Sequence, residues 1–248
     1  MAELLEGRTA IVTGASRGIG RCIARTLAGE GMNVVLAART EEDLEEVKQT
    51  IEAESPPSGE VPRALAVPTD VTREESVKNL VSQVKEVYDG LDVVVNNAGV
   101  ATKKPLAETT TEEWNRTMAV NARGPFLMCR ECLPLLRASD RPFIINVASV
   151  VAIKAYYNQG AYTASKHALR GMTRVLAQEY EEEGIRVHEI SPGGVATEMV
   201  LQTRPDLDES VLMQPQDIAD IAVFLLTREG NAIMDEVRVR RAASDPWF

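Results

Sequence analysis

A glycine-rich loop near the beginning of the chain limits the possible folds more than any other feature. Residues 13–20 read TGASRGIG; they follow a short apolar run, Thr9–Val12, and precede an amphipathic stretch, Arg21–Gly29. A strand, a glycine-rich loop and a helix in this order begin an α/β fold, and backbone N–H groups at the helix N-terminus can then hold a phosphate. The alternative is a tight turn that holds no ligand. The flanking strand and helix favour a phosphate site built on Gly14, Gly18 and Gly20.

The alternation of short apolar runs and amphipathic stretches continues along the chain. Further strands are predicted at Asn33–Ala38, Ala64–Pro68, Leu91–Val95, Phe143–Ala148, Ile185–Ile190 and, as an edge strand, Val237–Arg240. Helices are predicted at Glu41–Glu54, Tyr162–Glu182 and Asp217–Leu226. Two more are predicted from capping boxes: one begins at Thr72, with Glu75 as the partner, and one begins at Thr110, with Glu113 as the partner. This pattern predicts a single-domain, doubly wound (Rossmann) α/β fold over residues 1–248, with a parallel sheet of about seven strands. Ligands of such sheets bind at the carboxyl ends of the strands.

Charge and composition exclude several classes of protein. The formal net charge of −10 and the pI near 4.9 disfavour nucleic-acid binding, which needs a basic surface. Three cysteines are too few, and odd in number, for a disulfide framework. The longest apolar stretch, Phe143–Ile153, is shorter than the roughly 20 residues that cross a bilayer, and no signal peptide precedes the first strand. We therefore expect a soluble, cytoplasmic protein with no nucleic-acid or membrane partner and no metal site.

In dinucleotide-binding folds of this kind, the end of the second strand distinguishes a site for NAD from a site for NADP. An NAD site usually has Asp or Glu there, to bind the ribose 2′-hydroxyl. Residues 37–40 read AART and contain no carboxylate, whereas Arg39 can bind a 2′-phosphate. Arg17, inside the glycine loop, adds a second cation. The alternative is that both arginines are solvated surface residues. Together with the missing acid they favour NADP(H) over NAD(H).

A tyrosine and a lysine four residues apart, Tyr162 and Lys166, lie on one face of a predicted helix. Alone, such a pair is usually a surface feature. Combined with the glycine loop, Ser149 upstream and Asn121 within residues 118–122 (MAVNA), it resembles the short-chain dehydrogenase/reductase family. The resemblance extends from about residue 5 to about residue 226.

The resemblance implies a role for each of the four side chains. Tyr162 is the general acid in ketone reduction and the base in alcohol oxidation. A free phenol, with a pKa of about 10, is a weak catalyst near neutral pH. Lys166 and the oxidised nicotinamide would lower that pKa, and Lys166 would also bind the nicotinamide ribose. Ser149 orients the carbonyl, and Asn121 holds a water that bridges to Lys166.

The resemblance also implies the cofactor contacts. The glycine loop holds the pyrophosphate, a pair after the third strand touches the adenine, residues 96–99 pass the adenosine ribose, and residues 192–197 back the nicotinamide. The implied cofactor-binding residues are Gly14, Ser16, Arg17, Gly18, Ile19, Gly20, Arg39, Asp70, Val71, Asn97, Ala98, Gly99, Tyr162, Lys166, Pro192, Gly193, Val195 and Thr197.

Each of these residues also has a structural interpretation. Ser149 could cap a strand end, Asn121 could cap or kink a helix, and Asp70 could be a turn acid before Thr72. Tyr156 and Tyr157 lack a lysine four residues later, so we expect them in the pocket wall rather than as proton donors. The two histidines, His167 and His188, are expected to be structural. The pair Cys129 and Cys132 lies in an apolar-period helix and is expected to pack rather than to react.

The predicted function is hydride transfer between NADP(H) and a small or medium-sized carbonyl or alcohol substrate. One alternative is a 3-oxoacyl-carrier-protein reductase; Asp140 and Glu181–Glu183 disfavour it, because an acidic carrier would meet like charge there. Another is a non-catalytic nucleotide sensor or scaffold, which would not need all four catalytic side chains. We expect a substrate lid at residues 196–213 and a homodimer or homotetramer through Asn121–Ala138 and Tyr162–Glu182. The aromatic tail, Trp247 and Phe248, is expected to pack on a neighbouring subunit.

Overall fold

The strands lie side by side in one parallel sheet in the order β3-β2-β1-β4-β5-β6-β7. The computed structural model describes residues 4–55, 63–203 and 208–246, and all statements below concern that part of the chain. Each strand is short and largely apolar, as expected where helices cover both faces of a sheet. The strands are β1 (Thr9–Thr13), β2 (Asn33–Ala38), β3 (Ala64–Pro68), β4 (Val93–Asn96), β5 (Phe143–Val147), β6 (Arg186–Pro192) and β7 (Glu236–Val239).

The helices form a layer on each face of the sheet. They are α1 (Gly18–Gly29), α2 (Glu41–Glu54), α3 (Glu74–Tyr88), α4 (Thr111–Met118), α5 (Gly124–Leu136), α6 (Gly160–Glu179), α7 (Glu198–Thr203) and α8 (Pro215–Thr227). Apolar residues of α1, α2 and α8 pack in one core with alternate strand residues such as Ala10 and Val12. Those of α3, α5 and α6 pack in a second core, on the face where Ile11 points. The predicted doubly wound fold is therefore confirmed.

The order of the strands creates a crevice above β1 and β4. These two strands are neighbours, and the chain proceeds in opposite directions across the sheet from this point. Loops after β1 and β4 therefore separate at their carboxyl ends, which is where open α/β sheets bind ligands. The glycine loop follows β1, and residues 97–99 follow β4.

The predicted helix starts had different outcomes. Thr110 caps α4 as predicted. The Thr110 hydroxyl accepts from the N–H of Glu113 at 3.2 Å, and the Glu113 carboxylate accepts from the N–H of Thr110 at 2.9 Å. The predicted capping box at Thr72 is wrong, since α3 begins two residues later, at Glu74. Asp70 is the reason, because its carboxylate accepts from both the N–H and the hydroxyl of Thr72, at 2.9 and 2.7 Å.

The last segments are described in part. The predicted edge strand is present as β7, which pairs in parallel with β6. The predicted lid contains α7 and a 3-10 turn at Glu209–Val211, and its residues 204–207 lie outside the described residues. The two tail aromatics, Trp247 and Phe248, also lie outside them. Within the described residues, no helix combines the length and the apolar character needed to cross a membrane.

Candidate active site

The glycine loop is held in a conformation that other residues would disturb. Gly14 has φ +66°, and a Cβ at this position would lie 2.9 Å from the Cα of Ala98. At Gly20, the first turn of α1 passes so close to the loop that a Cβ would lie 2.3 Å from the carbonyl oxygen of Gly14. Glycine at these positions therefore allows a sharp turn and close helix packing, as a dinucleotide-binding loop requires.

Thr13 ties the loop after β1 to the loop after β4. Its hydroxyl accepts from the N–H groups of Asn97 and Ala98, at 3.0 and 3.1 Å, and donates to the carbonyl of Val95. The Asn97 amide in turn donates to the Thr13 carbonyl at 2.9 Å. The two loops that border the crevice thus form one rigid unit. The sequence analysis did not single out Thr13, although its position at the end of β1 could have indicated such a link.

The N-terminus of α1 is open to an anion. Its N-cap residue, Arg17, is extended and gives no side-chain cap, and the first turn carries no acidic residue. The backbone N–H groups of that turn therefore have no side-chain acceptor among the described residues, and the helix dipole favours negative charge there. The residues present fit a pyrophosphate of a dinucleotide at this position.

The charges around the neighbouring strand ends agree with a phosphorylated ribose. Arg39 is exposed just after β2, and no carboxylate stands at the end of that strand. Arg17 forms an ion pair with Glu198 of α7, which the sequence did not predict. Both side chains of that pair are well exposed, so it contributes little and an incoming phosphate can replace the carboxylate. Burial raises the pKa of Asp70, but hydrogen bonds from Thr72 and the charge of Arg39 reverse the shift and leave it lowered.

Ser149, Tyr162 and Lys166 meet beyond the carboxyl end of β5. Ser149 follows the strand; its hydroxyl accepts from the N–H of Val151, lies 3.4 Å from the carbonyl of Pro192 and is hydrogen-bonded to the Tyr162 phenol. Lys166, one turn after Tyr162 on α6, is buried and donates to the carbonyl of Val147 at 2.8 Å. Its Nζ lies 6.0 Å from the centre of the Tyr162 ring. The structure thus brings the three predicted catalytic side chains together.

The direction of the Tyr162 pKa shift differs from the expectation. Burial raises the pKa of the phenol above its ordinary value of 10.0, and the hydrogen bond with Ser149 offsets only part of that effect. The Lys166 ammonium is directed toward the Val147 carbonyl, to which it donates a hydrogen bond. In the free protein Tyr162 is therefore fully protonated at neutral pH. A protonated phenol is the form that can donate a proton to a carbonyl oxygen.

Lys166 is shifted in the opposite direction. Burial lowers the pKa of its ammonium from 10.5 to about 8, although the negative charge of Glu189 on β6 opposes the shift. Lys166 is still mostly charged at pH 7. Glu189 is only 3% exposed, and its carboxylate accepts from the hydroxyl of Ser191 at 2.7 Å. The sequence analysis missed this buried acid, because a single Glu in an apolar strand gives no signal of where it points.

Asn121 lies in an irregular part of the helix between α4 and α5. Residues Ala119–Arg123 form a π-helical turn, a feature that often occurs at functional sites. The Asn121 amide donates to the carbonyl of Val100 at 2.8 Å and to the hydroxyl of Ser165 at 3.0 Å, and it accepts from the N–H of Val100. These bonds fix the loop after β4 against α6. Ser165, which the sequence analysis missed, also donates to the carbonyl of Tyr162 and so links Asn121 to the first turns of α6.

The segment after β6 closes the crevice on the other side. The backbone on both sides of Val195 is hydrogen-bonded to Met213. The N–H of Ala196 donates to the Met213 carbonyl, and the N–H of Met213 donates to the Gly194 carbonyl. Thr197 lies beside the glycine loop, where a Cβ on Gly18 would be 3.2 Å from its methyl group. Pro192–Thr197 thus lies opposite Ser149 and next to the first turn of α1, as expected for a segment that backs the nicotinamide.

A cavity of about 410 Å³ opens directly onto Ser149 and Tyr162. This volume lies within the range of small-molecule sites. Tyr156 is in its wall as predicted, whereas Tyr157 is 86% exposed and is not among the lining residues, so that part of the prediction is wrong. The remaining walls come from residues 101–103, the turn after β5, α7 and the segment after β7.

The other residues weighed from the sequence have structural roles. Cys129 and Cys132 are buried in α5, and burial raises the pKa of Cys129 to about 12. Both therefore remain thiols that pack in the core. His188 stacks on Phe143 and is bonded to the carbonyl of Met234, and His167 is bonded to the carbonyl of Thr163. Within the described ranges, no three His, Cys, Asp or Glu residues are grouped as metal ligands would be.

Comparisons with known proteins agree with this geometry. The short chain dehydrogenase family model matches residues 8–208. A short-chain type dehydrogenase/reductase of Picea abies is 38% identical over 245 residues, which cover 94% of this chain and 90% of that protein.

Solved structures are similar over nearly the whole chain. An alcohol dehydrogenase from the archaeon Thermococcus sibiricus, complexed with 5-hydroxy-NADP, has a TM-score of 0.88 at 29% identity, over 97% of this chain and 99% of that one. A putative short chain dehydrogenase from Escherichia coli CFT073, complexed with NADPH, has a TM-score of 0.88 at 33% identity. The match covers 97% of this chain and 98% of that one.

Proposed function

The chain belongs to the short-chain dehydrogenase family, and on that premise we propose that it transfers a hydride between NADP(H) and the carbonyl or hydroxyl carbon of a small or medium-sized substrate. One observation carries this proposal: Ser149 and Tyr162 line one cavity, and the buried Lys166 lies one helical turn from Tyr162. The family and its oxidoreductase chemistry follow from the match over residues 8–208; the reaction and cofactor of this chain are our inference.

Ser149 and Tyr162 would hold the carbonyl oxygen of the substrate. Their hydroxyl groups are hydrogen-bonded to each other and face the cavity, so both can donate to one oxygen placed between them. Bound NADPH supplies the hydride to the carbonyl carbon. As negative charge develops on the oxygen, Tyr162 donates its proton, and Ser149 stabilises the same charge by a hydrogen bond.

Lys166 would assist that proton transfer by its charge. The buried ammonium stabilises the phenolate that Tyr162 leaves behind, because a cation in a low-dielectric site acts strongly over a short distance. Asn121 and Ser165 would hold the loop after β4 and the helix α6 in register for this contact. A water bridge from Asn121 to Lys166 remains part of the proposal, since both Asn121 Oδ1 and Lys166 Nζ lie close to Gly99.

A screen of carbonyl compounds tests the proposed function. Ketones, aldehydes, oxo acids and their esters are incubated with the protein and NADPH, and NADPH oxidation is followed by its absorbance. We expect turnover of at least one class, with the alcohol formed in amounts equal to the NADPH consumed. Binding of NADPH without turnover of any substrate would instead favour the nucleotide sensor or scaffold.

The protein is expected to use NADPH in preference to NADH. Arg39 can bind the 2′-phosphate, and no acid stands at the end of β2 to bind the 2′-hydroxyl of NADH. Arg39→Asp should weaken the preference by about 1–3 kcal/mol in kcat/KM, the range for a charged hydrogen bond. The specificity constants of both cofactors with one substrate provide the measurement, and Arg25→Asp on the outer face of α1 is the matched control. A wild-type preference for NADH would contradict the assignment of Arg39.

The structure weakens one argument against a carrier-protein substrate. Asp140 and Glu183 precede β5 and β6, so they lie at the amino edge of the sheet, opposite the cavity. Each is paired, Asp140 with Arg8 and Glu183 with Arg137. They therefore cannot repel a carrier at the cavity mouth. The carrier reductase remains the second candidate for this reason, and a 3-oxoacyl-carrier protein belongs in the substrate screen.

We also propose a homodimer or homotetramer that uses the outer faces of α5 and α6. Phe126 on α5 is 45% exposed and Val175 on α6 is 52% exposed. Phe126→Arg should reduce the particle mass measured by light scattering, because a charge buried in an apolar contact costs several kcal/mol. Phe224→Arg on α8, at the opposite face of the sheet, is the comparison. A lower mass for Phe224→Arg alone would place the interface on that face instead.

A further inference from the structure

The wall of the cavity is basic although the chain as a whole is acidic. The formal net charge of the protein is −10. Among the described residues, the charged side chains that line the cavity nevertheless comprise one carboxylate, Asp245, and four cations: Lys103, Lys154, Arg240 and Arg241. A cavity of one charge sign concentrates ligands of the opposite sign.

Two of these cations follow β7 and have different roles. The Arg240 guanidinium donates to the carbonyls of Arg241, Ala242 and Ser244, at 3.1, 3.3 and 2.7 Å. Ser244 completes the turn, since its N–H and hydroxyl both donate to the Arg241 carbonyl. All three bonds come from Nη1, so Arg240 uses one of its three guanidinium nitrogens to fix the fold of the segment that carries Arg241.

Arg241 is placed differently. Its side chain is partly buried and lies along Gly194, where a Cβ would be 3.3 Å from its Cδ and 3.6 Å from its Nε. It forms no hydrogen bond or ion pair through its side chain with any residue in the described ranges. A guanidinium that loses part of its hydration without a protein partner is unfavourable unless a ligand supplies the acceptor. The Arg241 guanidinium is therefore available to an anionic ligand in the cavity that Ser149 and Tyr162 also line.

We propose that Arg241 binds an anionic group, a carboxylate or a phosphate, of the carbonyl substrate, with Lys103 and Lys154 adding to the positive field. This inference rests on the proposed function and gives it a substrate class: oxo acids or phosphorylated ketones and the corresponding alcohols. In the reduction, the carbonyl carbon gains a hydride from NADPH and the oxygen gains the Tyr162 proton. The products are the hydroxy acid or phosphorylated alcohol and NADP⁺, and solvent returns the proton to Tyr162.

The cofactor's own phosphates are a less suitable partner for Arg241. They would lie at the N-terminus of α1 and at Arg39, after β1 and β2. Arg241 follows β7, five positions from β2 in the sheet, which corresponds to about 24 Å at the usual strand spacing. The phosphates and Arg241 therefore occupy opposite sides of the catalytic residues.

Matched substrate pairs test this inference. 2-Oxopentanoate and 4-oxopentanoate are each compared with their methyl esters, and dihydroxyacetone phosphate is compared with dihydroxyacetone. Wild type, Arg241→Gln, Arg241→Lys and the control Arg228→Gln, on the surface after α8, are assayed with saturating NADPH. The oxo acids distinguish a carboxylate ligand from a phosphate ligand.

We expect the anionic member of at least one pair to have a kcat/KM at least tenfold above that of its neutral partner. Arg241→Gln should lower that kcat/KM about 10- to 100-fold, mainly through KM, and leave the neutral partner unchanged. Arg241→Lys should restore part of the loss, and Arg228→Gln should match wild type. Equal losses for both members of a pair would mean a merely structural role and would overturn the proposal. So would a wild-type preference for neutral substrates, or turnover only of a carrier-bound substrate.

A direct titration separates this inference from the proposed function. The same anions and esters are titrated by calorimetry into wild type and Arg241→Gln, each with and without saturating NADP⁺. Tighter binding of an anion by wild type supports the anion site even if no substrate in the panel is reduced. Equal binding by the two proteins, or no binding at all, overturns it whatever the activity.

Discussion

Tyr162→Phe is expected to lower kcat by about 10²- to 10⁴-fold while NADPH still binds with nearly native affinity. The substitution removes the phenolic oxygen, which is the proton donor in the proposed mechanism, and this is the usual range for general acid–base catalysis. The ring remains, so the packing of α6 and the cavity wall are preserved. Turnover is measured with saturating NADPH, and cofactor affinity is measured by fluorescence titration.

Two other tyrosines provide matched controls for that experiment. Tyr156 lines the cavity and would be the competing donor, whereas Tyr157 is 86% exposed and is not a lining residue. Tyr157→Phe should be silent, and Tyr156→Phe should change KM more than kcat. Near-native turnover by Tyr162→Phe, or a collapse in Tyr156→Phe of the same size, would assign the proton donor elsewhere.

Lys166→Met is expected to remove most activity and yet leave the free protein at least as stable as wild type. Lys166 is 4% exposed, and burial lowers the pKa of its ammonium from 10.5 to about 8, so keeping the group charged in the fold costs about 3 kcal/mol at pH 7. Methionine fills a similar volume without that charge. NADPH affinity should fall as well, since we assign Lys166 a contact with the nicotinamide ribose.

The pH dependence of that stability difference has a definite sign. Between pH 8 and 10.5, Lys166 is more fully protonated in the unfolded chain than in the folded chain. The contribution of Lys166 to the free energy of unfolding therefore becomes more favourable to the folded state as the pH rises through this window. The advantage of Lys166→Met should therefore be largest below pH 8 and shrink through that window. Thermal or urea unfolding of both proteins at pH 7 and pH 10 provides the test. A variant that is clearly less stable at pH 7 would mean that Lys166 is mainly a structural residue.

The sequence was sufficient where a local pattern determines the structure. Apolar runs followed by helical patterns predicted the seven strands, and residues 13–20 predicted the loop between β1 and α1. Thr110 capped its helix as predicted because its partner, Glu113, is three residues away. Thr72 did not, because Asp70 competes for the same hydroxyl and N–H.

The sequence was insufficient where a property depends on residues far apart in the chain. Arg17 is paired with Glu198, and this contact joins the glycine loop to α7. The Tyr162 pKa moves up rather than down, because burial outweighs the hydrogen bond and Lys166 is directed to Val147. The sequence analysis did not single out Arg241. Its place in the cavity depends on the position of β7 beside β6 and on the close approach to Gly194.

Isotope transfer from the cofactor tests the central claim most directly. The protein is incubated with NADPH that carries two deuterium atoms at C4 of the nicotinamide and with a ketone found in the screen, and the alcohol is analysed by mass spectrometry. The account predicts one deuterium in each alcohol molecule, on the carbinol carbon, and a rate that collapses in Tyr162→Phe. Alcohol without deuterium, or NADPH oxidation without alcohol, would contradict it.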